Sequence, residues 1–207
     1  MSVWLNAVGD CLMERVGVLN VQGAVREHAD HLRRVGSEVV LVKHPEDLQV
    51  IDGLIIPGGE STTIGKLIRK YELYDGIRER IEDGMPVFGT CAGLILLAKK
   101  IEGSDEAHLA VMDTVVDRNS FGRQRESFEA NLPISEIDGE AFPCVFIRAP
   151  HIVSAGSDVS VLATYGEKIV AARQGNRLAT AFHPELSDDL RMHAYFLDMV
   201  RGSSQPD

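Results

Sequence analysis

The stretch Val87-Phe88-Gly89-Thr90-Cys91-Ala92-Gly93 decides the reading of this chain. An apolar, strand-like run from Pro86 to Phe88 meets a Gly-x-Cys-x-Gly turn and then an apolar helical segment from Leu94 to Ala98. This is a nucleophile elbow with cysteine in the place of serine. Glycines on both sides allow a sharp strand-to-helix reversal that lifts one side chain out at the top of a sheet. Cys91 is then expected at a helix N-terminus, where unpaired N–H groups favour thiolate over thiol. A buried structural cysteine beside a tight turn is the plainer alternative, since free cysteine often serves as a small core residue.

The rest of the sequence fits a single enzyme-sized domain. At 207 residues, with 44% apolar and 25% charged content, it has the composition of a globular protein with a substantial core. A net charge of −10 argues against nucleic acid or an anionic membrane as the main partner, because both call for a basic face. No apolar run approaches the roughly 18–20 residues that span a bilayer, and Met1–Glu14 lacks the basic start and apolar stretch of a signal peptide. Cys11, Cys91 and Cys144 are odd in number and show no CxxC spacing, so neither a disulfide framework nor a metal site is expected. A reducing, cytoplasmic setting follows.

Outward from the elbow, β-branched runs alternate with amphipathic segments, as in a mostly parallel α/β sheet. Arg15–Val21 reads as the first strand. Ala24–Val35 reads as a helix with Val25, His28, Leu32 and Val35 on one face. Strands are expected over Glu38–Lys43 and Gly53–Ile56, and a helix over Thr62–Asp83 interrupted near Tyr71–Tyr74. After Gly103 the pattern turns to short segments, Val115–Arg118, Cys144–Arg148, Val159–Thr164, Ile169–Arg173 and Leu178–Phe182, read as antiparallel additions to the sheet. Asp188–Val200 is expected to close the fold as a helix capped by Ser187. Residues 1–13 read as an N-terminal extension without order of its own, residues 14–202 as one domain, and the tail from Gly202 as frayed.

A cysteine nucleophile needs a base, and the base needs an orienter. His183-Pro184-Glu185 supplies both at the end of an apolar strand. Proline holds the preceding residue extended, and residues i and i+2 of an extended segment project to the same side. A surface turn with an incidental histidine is the competing view. Pro57-Gly58-Gly59-Glu60-Ser61-Thr62-Thr63 is a second strand-to-helix loop, where glycine lets backbone approach a ligand and aim an N–H at a developing oxyanion. Ala92 N–H, just after the nucleophile, is the natural second donor. Lys66 is misplaced for a phosphate-binding Walker loop. A capping box begun by Ser61 or Thr62 is compatible with the oxyanion role.

Together, Gly-Thr-Cys-Ala-Gly, Pro-Gly-Gly-Glu-Ser-Thr and Phe-His-Pro-Glu resemble the class I (triad) glutamine amidotransferases. Three further stretches narrow the likeness: residues 21–28 (Val-Gln-Gly-Ala-Val-Arg-Glu-His), residues 117–124 (Asp-Arg-Asn-Ser-Phe-Gly-Arg-Gln) and residues 146–151 (Phe-Ile-Arg-Ala-Pro-His). The set is similar to the glutaminase subunits of pyridoxal 5′-phosphate synthase, in matching order from about Arg15 to Val200. Asn20, where that family usually has a smaller or apolar residue, and Met1–Glu14 depart from it.

The resemblance implies a flavodoxin-like three-layer sandwich and hydrolysis of glutamine to glutamate and ammonia, with no cofactor. It implies Cys91 as nucleophile, His183 as base and Glu185 as its orienter. Gly59, Glu60, Ser61, Arg118, Ile147 and Arg148 are implied to hold glutamine, with Gly59 and Ala92 N–H groups as the oxyanion hole. Arginine suits the α-carboxylate because its planar fork pairs bidentately, although an arginine taken alone is more often a solvated charge. The implied partner is the (β/α)8 barrel subunit of the synthase, on which family members release ammonia efficiently, with Gln22 and Arg26 as part of the contact. Two other readings stand beside this one: a class I glutaminase of another pathway, such as histidine biosynthesis, and a non-catalytic redox sensor on the same scaffold. The Asn-Ser-Phe-Gly-Arg-Gln and Val-Gln-Gly-Ala-Val-Arg-Glu-His stretches oppose the first, and an ordered base behind the thiol opposes the second.

Overall fold

The computed structural model describes residues 13–118, 120 and 127–203. The expected extension (apart from Met13), Cys11, most of the Asn-Ser-Phe-Gly-Arg-Gln stretch and the last four residues lie outside these. The elements begin with β1 (Arg15–Leu19), α1 (Val25–Arg34), β2 (Glu38–Val42), β3 (Gly53–Ile56), α2 (Ser61–Lys70), α3 (Tyr74–Glu82), β4 (Val87–Thr90) and α4 (Ala92–Leu97). There follow β5 (Ala98–Ile101), β6 (Met112–Asp117), β7 (Ser127–Leu132), β8 (Phe142–Ile147), β9 (His151–Ala155), β10 (Ser160–Tyr165), β11 (Lys168–Gln174), β12 (Arg177–Thr180) and α5 (Arg191–Ser203). Short 3-10 turns occupy Pro45–Val50 and Pro184–Leu186.

One sheet runs β2-β1-β3-β4-β12-β11-β9-β6-β5, with β10 paired to β11, while β7 and β8 form a separate hairpin. Its first half is parallel, and β3 and β4 are buried at every residue. Continuous burial explains why they read as unbroken apolar runs rather than alternating ones. Register fixes what matters for function: Ile56 lies beside Gly89, and Thr180 beside Thr90. The carboxyl ends of β3, β4 and β12 therefore emerge side by side, the usual place for a site in an open α/β sheet.

Several expectations need correction. Leu178–Phe182 is not a purely antiparallel addition, because β12 pairs parallel with β4 and antiparallel with β11. The pair β5–β6 is parallel too. Sequence reading missed β5, β7 and β9, of which β5 and β7 carry polar residues at exposed positions that dilute the apolar pattern. The last helix starts at Arg191 rather than Asp188. Ser187 does not cap it: its hydroxyl donates to Pro184 O at 3.0 Å, and the Asp189 carboxylate instead takes the Arg191 N–H at 3.0 Å. The interruption between α2 and α3, by contrast, falls where expected, at Tyr71–Leu73, where Glu72 adopts φ +59°.

The hairpin is tied to the main sheet by aromatic packing. Phe146 meets Phe182 at 5.7 Å between ring centroids and Phe142 meets Phe182 at 6.0 Å. Buried aromatic pairs of this kind add about 0.5–1.5 kcal/mol beyond the area they bury. His183 N–H also donates to Val145 O at 2.8 Å, so β8 fixes the backbone of the residue that follows this cluster.

Candidate active site

Cys91 occupies the turn between β4 and α4 with φ +49°, a left-handed conformation that a non-glycine residue rarely adopts. The strain sits on the cysteine, not on the glycines that flank it. Those glycines are required by close approach: a Cβ on Gly93 would stand 2.2 Å from Ile56 O, and one on Gly89 2.6 Å from Gly93 backbone. The helix is thus pressed against β3 and β4, and the reversal leaves the Cys91 side chain 7% exposed at the strand ends. Its N–H donates to Thr180 O at 2.8 Å, which locks the elbow to β12.

His183 follows β12, and its ring lies beside the Cys91 sulfur, which raises its pKa, and hydrogen-bonds to Glu185, with Nδ1 2.7 Å from Oε1. Burial disfavours a charged ring, but the sulfur and the carboxylate outweigh it and push the imidazole up to about 10. Burial likewise favours a neutral Glu185, yet the two imidazoles facing it, His28 and His183, hold its carboxyl below the usual range. His183 and Glu185 do not meet as neighbours on an extended segment. Pro184–Leu186 is a 3-10 turn, and that curl brings the carboxylate back under the ring.

The β3 loop closes over this pair. A Cβ on Gly58 would lie 2.3 Å from His183 Cε1 and 3.3 Å from Cys91 Cβ, so only glycine fits. Gly58 N–H donates to Thr90 Oγ1 at 3.0 Å, and Gly58 O faces the start of α1, accepting from Ala24 N–H at 3.4 Å. Across a trans peptide the Gly59 N–H points away from α1. Gln22 Oε1 accepts the Glu60 N–H at 2.9 Å, which makes Gln22 part of this loop's support. Glu60, not Ser61 or Thr62, is the N-cap of α2. Its carboxylate accepts from Thr62 N–H at 3.1 Å and Thr63 N–H at 2.7 Å, and also from the Thr63 hydroxyl, and these bonds hold it below its ordinary pKa. Ser61 is buried at the first helical position.

On the far side, the Cys91 thiol points at Ile147 O, 3.9 Å away. Arg148 comes next, exposed and with φ +42°. Arg118 pairs with Glu106 at 2.8 Å, and that hydrogen bond lowers the Glu106 carboxyl. Its charge reaches Glu60, while its Nε is buried without a hydrogen-bond partner. Ala92 opens α4, buried directly after the nucleophile, and Arg26 is exposed on α1. Thr90 and Glu106 went unnoticed in the sequence. Thr90 carried a signal in its place beside the cysteine, whereas nothing local marks Glu106 as the partner of Arg118.

An elbow cysteine, a buried imidazole bonded to a buried carboxylate, and a Gly-Gly loop meet at the carboxyl ends of the strands of an α/β sheet. The chain belongs to the SNO glutamine amidotransferase family, whose model matches residues 18–202. It is 59% identical over 187 residues to the pyridoxal 5′-phosphate synthase subunit PdxT of Geobacillus kaustophilus, covering 90% of this chain and 95% of that one. The subunit of the same name from Anoxybacillus flavithermus is 58% identical over 193 residues, covering 93% of this chain and all of that one. Among solved structures, one described as a glutamine amidotransferase superposes with a TM-score of 0.85 at 49% identity, covering 90% of this chain and 98% of that one. No helix among the described residues is long and apolar enough to cross a membrane.

Proposed function

We propose that this chain is the glutaminase subunit of a pyridoxal 5′-phosphate synthase, working in the reducing cytoplasm. Cys91 attacks the side-chain carboxamide carbon of glutamine, giving a tetrahedral oxyanion and then a γ-glutamyl thioester as ammonia leaves. His183 takes the thiol proton as Cys91 attacks, holds it as an imidazolium with a pKa of about 10, and gives it to the departing nitrogen. Water then hydrolyses the thioester, with His183 taking a proton from it, to release glutamate. Glu185 fixes the ring so that Nδ1 is occupied and the other nitrogen serves the reaction. The observation that carries this reading is the convergence of Cys91, His183 and buried Glu185, with His183 bonded to Glu185 and a Cβ on Gly58 meeting both His183 and Cys91.

In this reading Gly59 and Ala92 N–H groups receive the oxyanion, and each such donor is worth on the order of 3 kcal/mol in the barrier. Gly59, Glu60, Ser61 and Ile147 line the glutamine, and Arg118 and Arg148 are available to its α-carboxylate. The ammonia passes to a barrel subunit that docks over Gln22 and Arg26. Support for a link between docking and catalysis comes from Gln22, which bonds Glu60 N–H, and from Ala24, which bonds Gly58 O. Reactive glutamine-analogue labelling with peptide mapping tests the site: modification confined to Cys91 is expected, and modification elsewhere, with Cys91 intact, overturns it. Ammonia release with and without the purified barrel subunit tests the partnership, with stimulation expected and an unchanged rate opposing it.

A further inference from the structure

Behind Glu185 lies a group of three histidines that the triad does not use. His28 and His31 sit on α1, one turn apart, and His193 on α5. His28 and His193 are fully buried, and His31 is 4% exposed. His28 Nδ1 is 2.9 Å from His193 Nε2, and His193 Nδ1 is 3.2 Å from His31 Nδ1. At the inner end His28 Nε2 faces Glu185 Oε2 at 3.4 Å and Thr90 Oγ1 at 3.2 Å. Oε2 is buried and makes no hydrogen bond as placed, with His28 Nε2 within ion-pair distance of it. Among the described residues no cluster of three or more His, Cys, Asp or Glu is arranged to hold a metal ion, so the rings answer to one another.

Their chemistry fixes the protons. A neutral imidazole has one donor and one acceptor nitrogen. The carboxylate at Oε2 demands N–H on His28 Nε2, which leaves Nδ1 as an acceptor. His193 must then donate from Nε2, its Nδ1 becomes an acceptor, and His31 must donate from Nδ1. The opposite set, begun by the Thr90 hydroxyl donating to His28 Nε2, would turn a ring lone pair toward the carboxylate, so the favoured set points all three N–H dipoles toward Glu185. A charged ring would bring two N–H groups face to face. Burial keeps all three below the ordinary histidine value, most of all His193. Around them, Glu185, Glu27 and His183 face His28, while Arg34, Asp30, Glu185 and Asp188 face His31.

We propose that His28 is a positioning residue of the glutaminase: its Nε2–H holds the outer oxygen of Glu185 so that the inner oxygen stays on His183, and His193 with His31 fix the tautomer that makes His28 a donor. This rests on Glu185 being the triad carboxylate. A carboxylate held at one oxygen only can rotate, and a small misalignment of the base costs rate out of proportion to its energy.

The test uses the full chain, assayed for glutamate release with saturating barrel subunit. His28→Leu is expected to lower kcat about 100-fold with KM within threefold, while His28→Gln, which keeps a donor nitrogen near the Nε2 position, recovers most of the loss. A wild-type kcat in His28→Leu overturns the proposal, as does a Gln variant no better than Leu, which would indicate packing alone. Cys91→Ala and Glu185→Gln run in parallel: activity retained there sinks the triad itself, whereas activity lost there and kept in His28→Leu sinks only the role of His28. Nitrogen-15 spectra of the wild-type protein need no variant to fold. N–H is expected on Nε2 of His28, Nε2 of His193 and Nδ1 of His31, and the opposite tautomer at His28 refutes the assignment.

Discussion

Gly58→Ala offers the sharpest test of how the site is packed, because one methyl group separates an intact fold from a displaced base. Gly58 is not among the residues with positive φ, so alanine can adopt its backbone. The added Cβ falls 2.3 Å from His183 Cε1 and 2.9 Å from Nδ1. Carbon atoms settle at about 3.5–4.0 Å, so ring or loop must yield by more than about 1 Å. The ring is the softer neighbour, since Gly58 is tethered by Thr90 and Ala24. Moving it stretches the 2.7 Å bond to Glu185 and breaks its alignment on Cys91. Misplacement of this size costs on the order of 100-fold in rate, while overpacking costs about 1–3 kcal/mol of stability. Glutamate release by a coupled dehydrogenase assay, beside thermal unfolding, separates the two effects. Gly202→Ala, with nothing near its Cβ, serves as the neutral control. Wild-type kcat/KM in a folded Gly58→Ala protein would show that the ring does not need this position.

Other expectations follow from the same contacts. Cys91→Ala removes the proposed nucleophile and should abolish glutamate release while co-elution with the barrel subunit persists. Glu185→Gln should lower turnover by roughly 10⁴-fold, as in other triads whose orienting carboxylate becomes an amide, with a melting temperature near wild type. Gln22→Ala frees Glu60 N–H from its acceptor and should cut kcat/KM about tenfold, near 1.4 kcal/mol, which steady-state kinetics will read. Stability should fall as pH drops below 6.5: His28, His31 and His193 have folded pKa values below that ordinary value, so the unfolded chain binds more protons there. Each such group adds a slope of up to about 1.4 kcal/mol per pH unit. His183 works in the opposite sense, its contribution being complete below 6.5 and lost as pH rises through about 10. Denaturant titrations between pH 5 and 8 check this, and a flat profile would refute neutral buried rings.

Much of this protein is written locally. The elbow at 87–93, the Gly-Gly loop at 58–59 and the His-Pro-Glu segment each declare themselves because turn chemistry and apolar runs are properties of consecutive residues. The parallel half of the sheet follows from the same runs, since strands covered on both faces admit few polar residues. Pairing is different. That β12 lies parallel beside β4, bringing His183 to Cys91, depends on register between segments about ninety residues apart, and an apolar strand carries no label for its neighbour. The curl at Pro184–Leu186 also escapes local rules, because the same Pro-Glu dipeptide suits extended backbone. Gln22 read as a contact for another protein, and the fold adds that it braces the loop after β3 through Glu60 N–H. His28 read as one more position on a helix face, with nothing nearby to tell a packed ring from a working one. Sequence periodicity reports which side of a helix is buried, but only the fold determines what waits there, and here it is the far oxygen of Glu185.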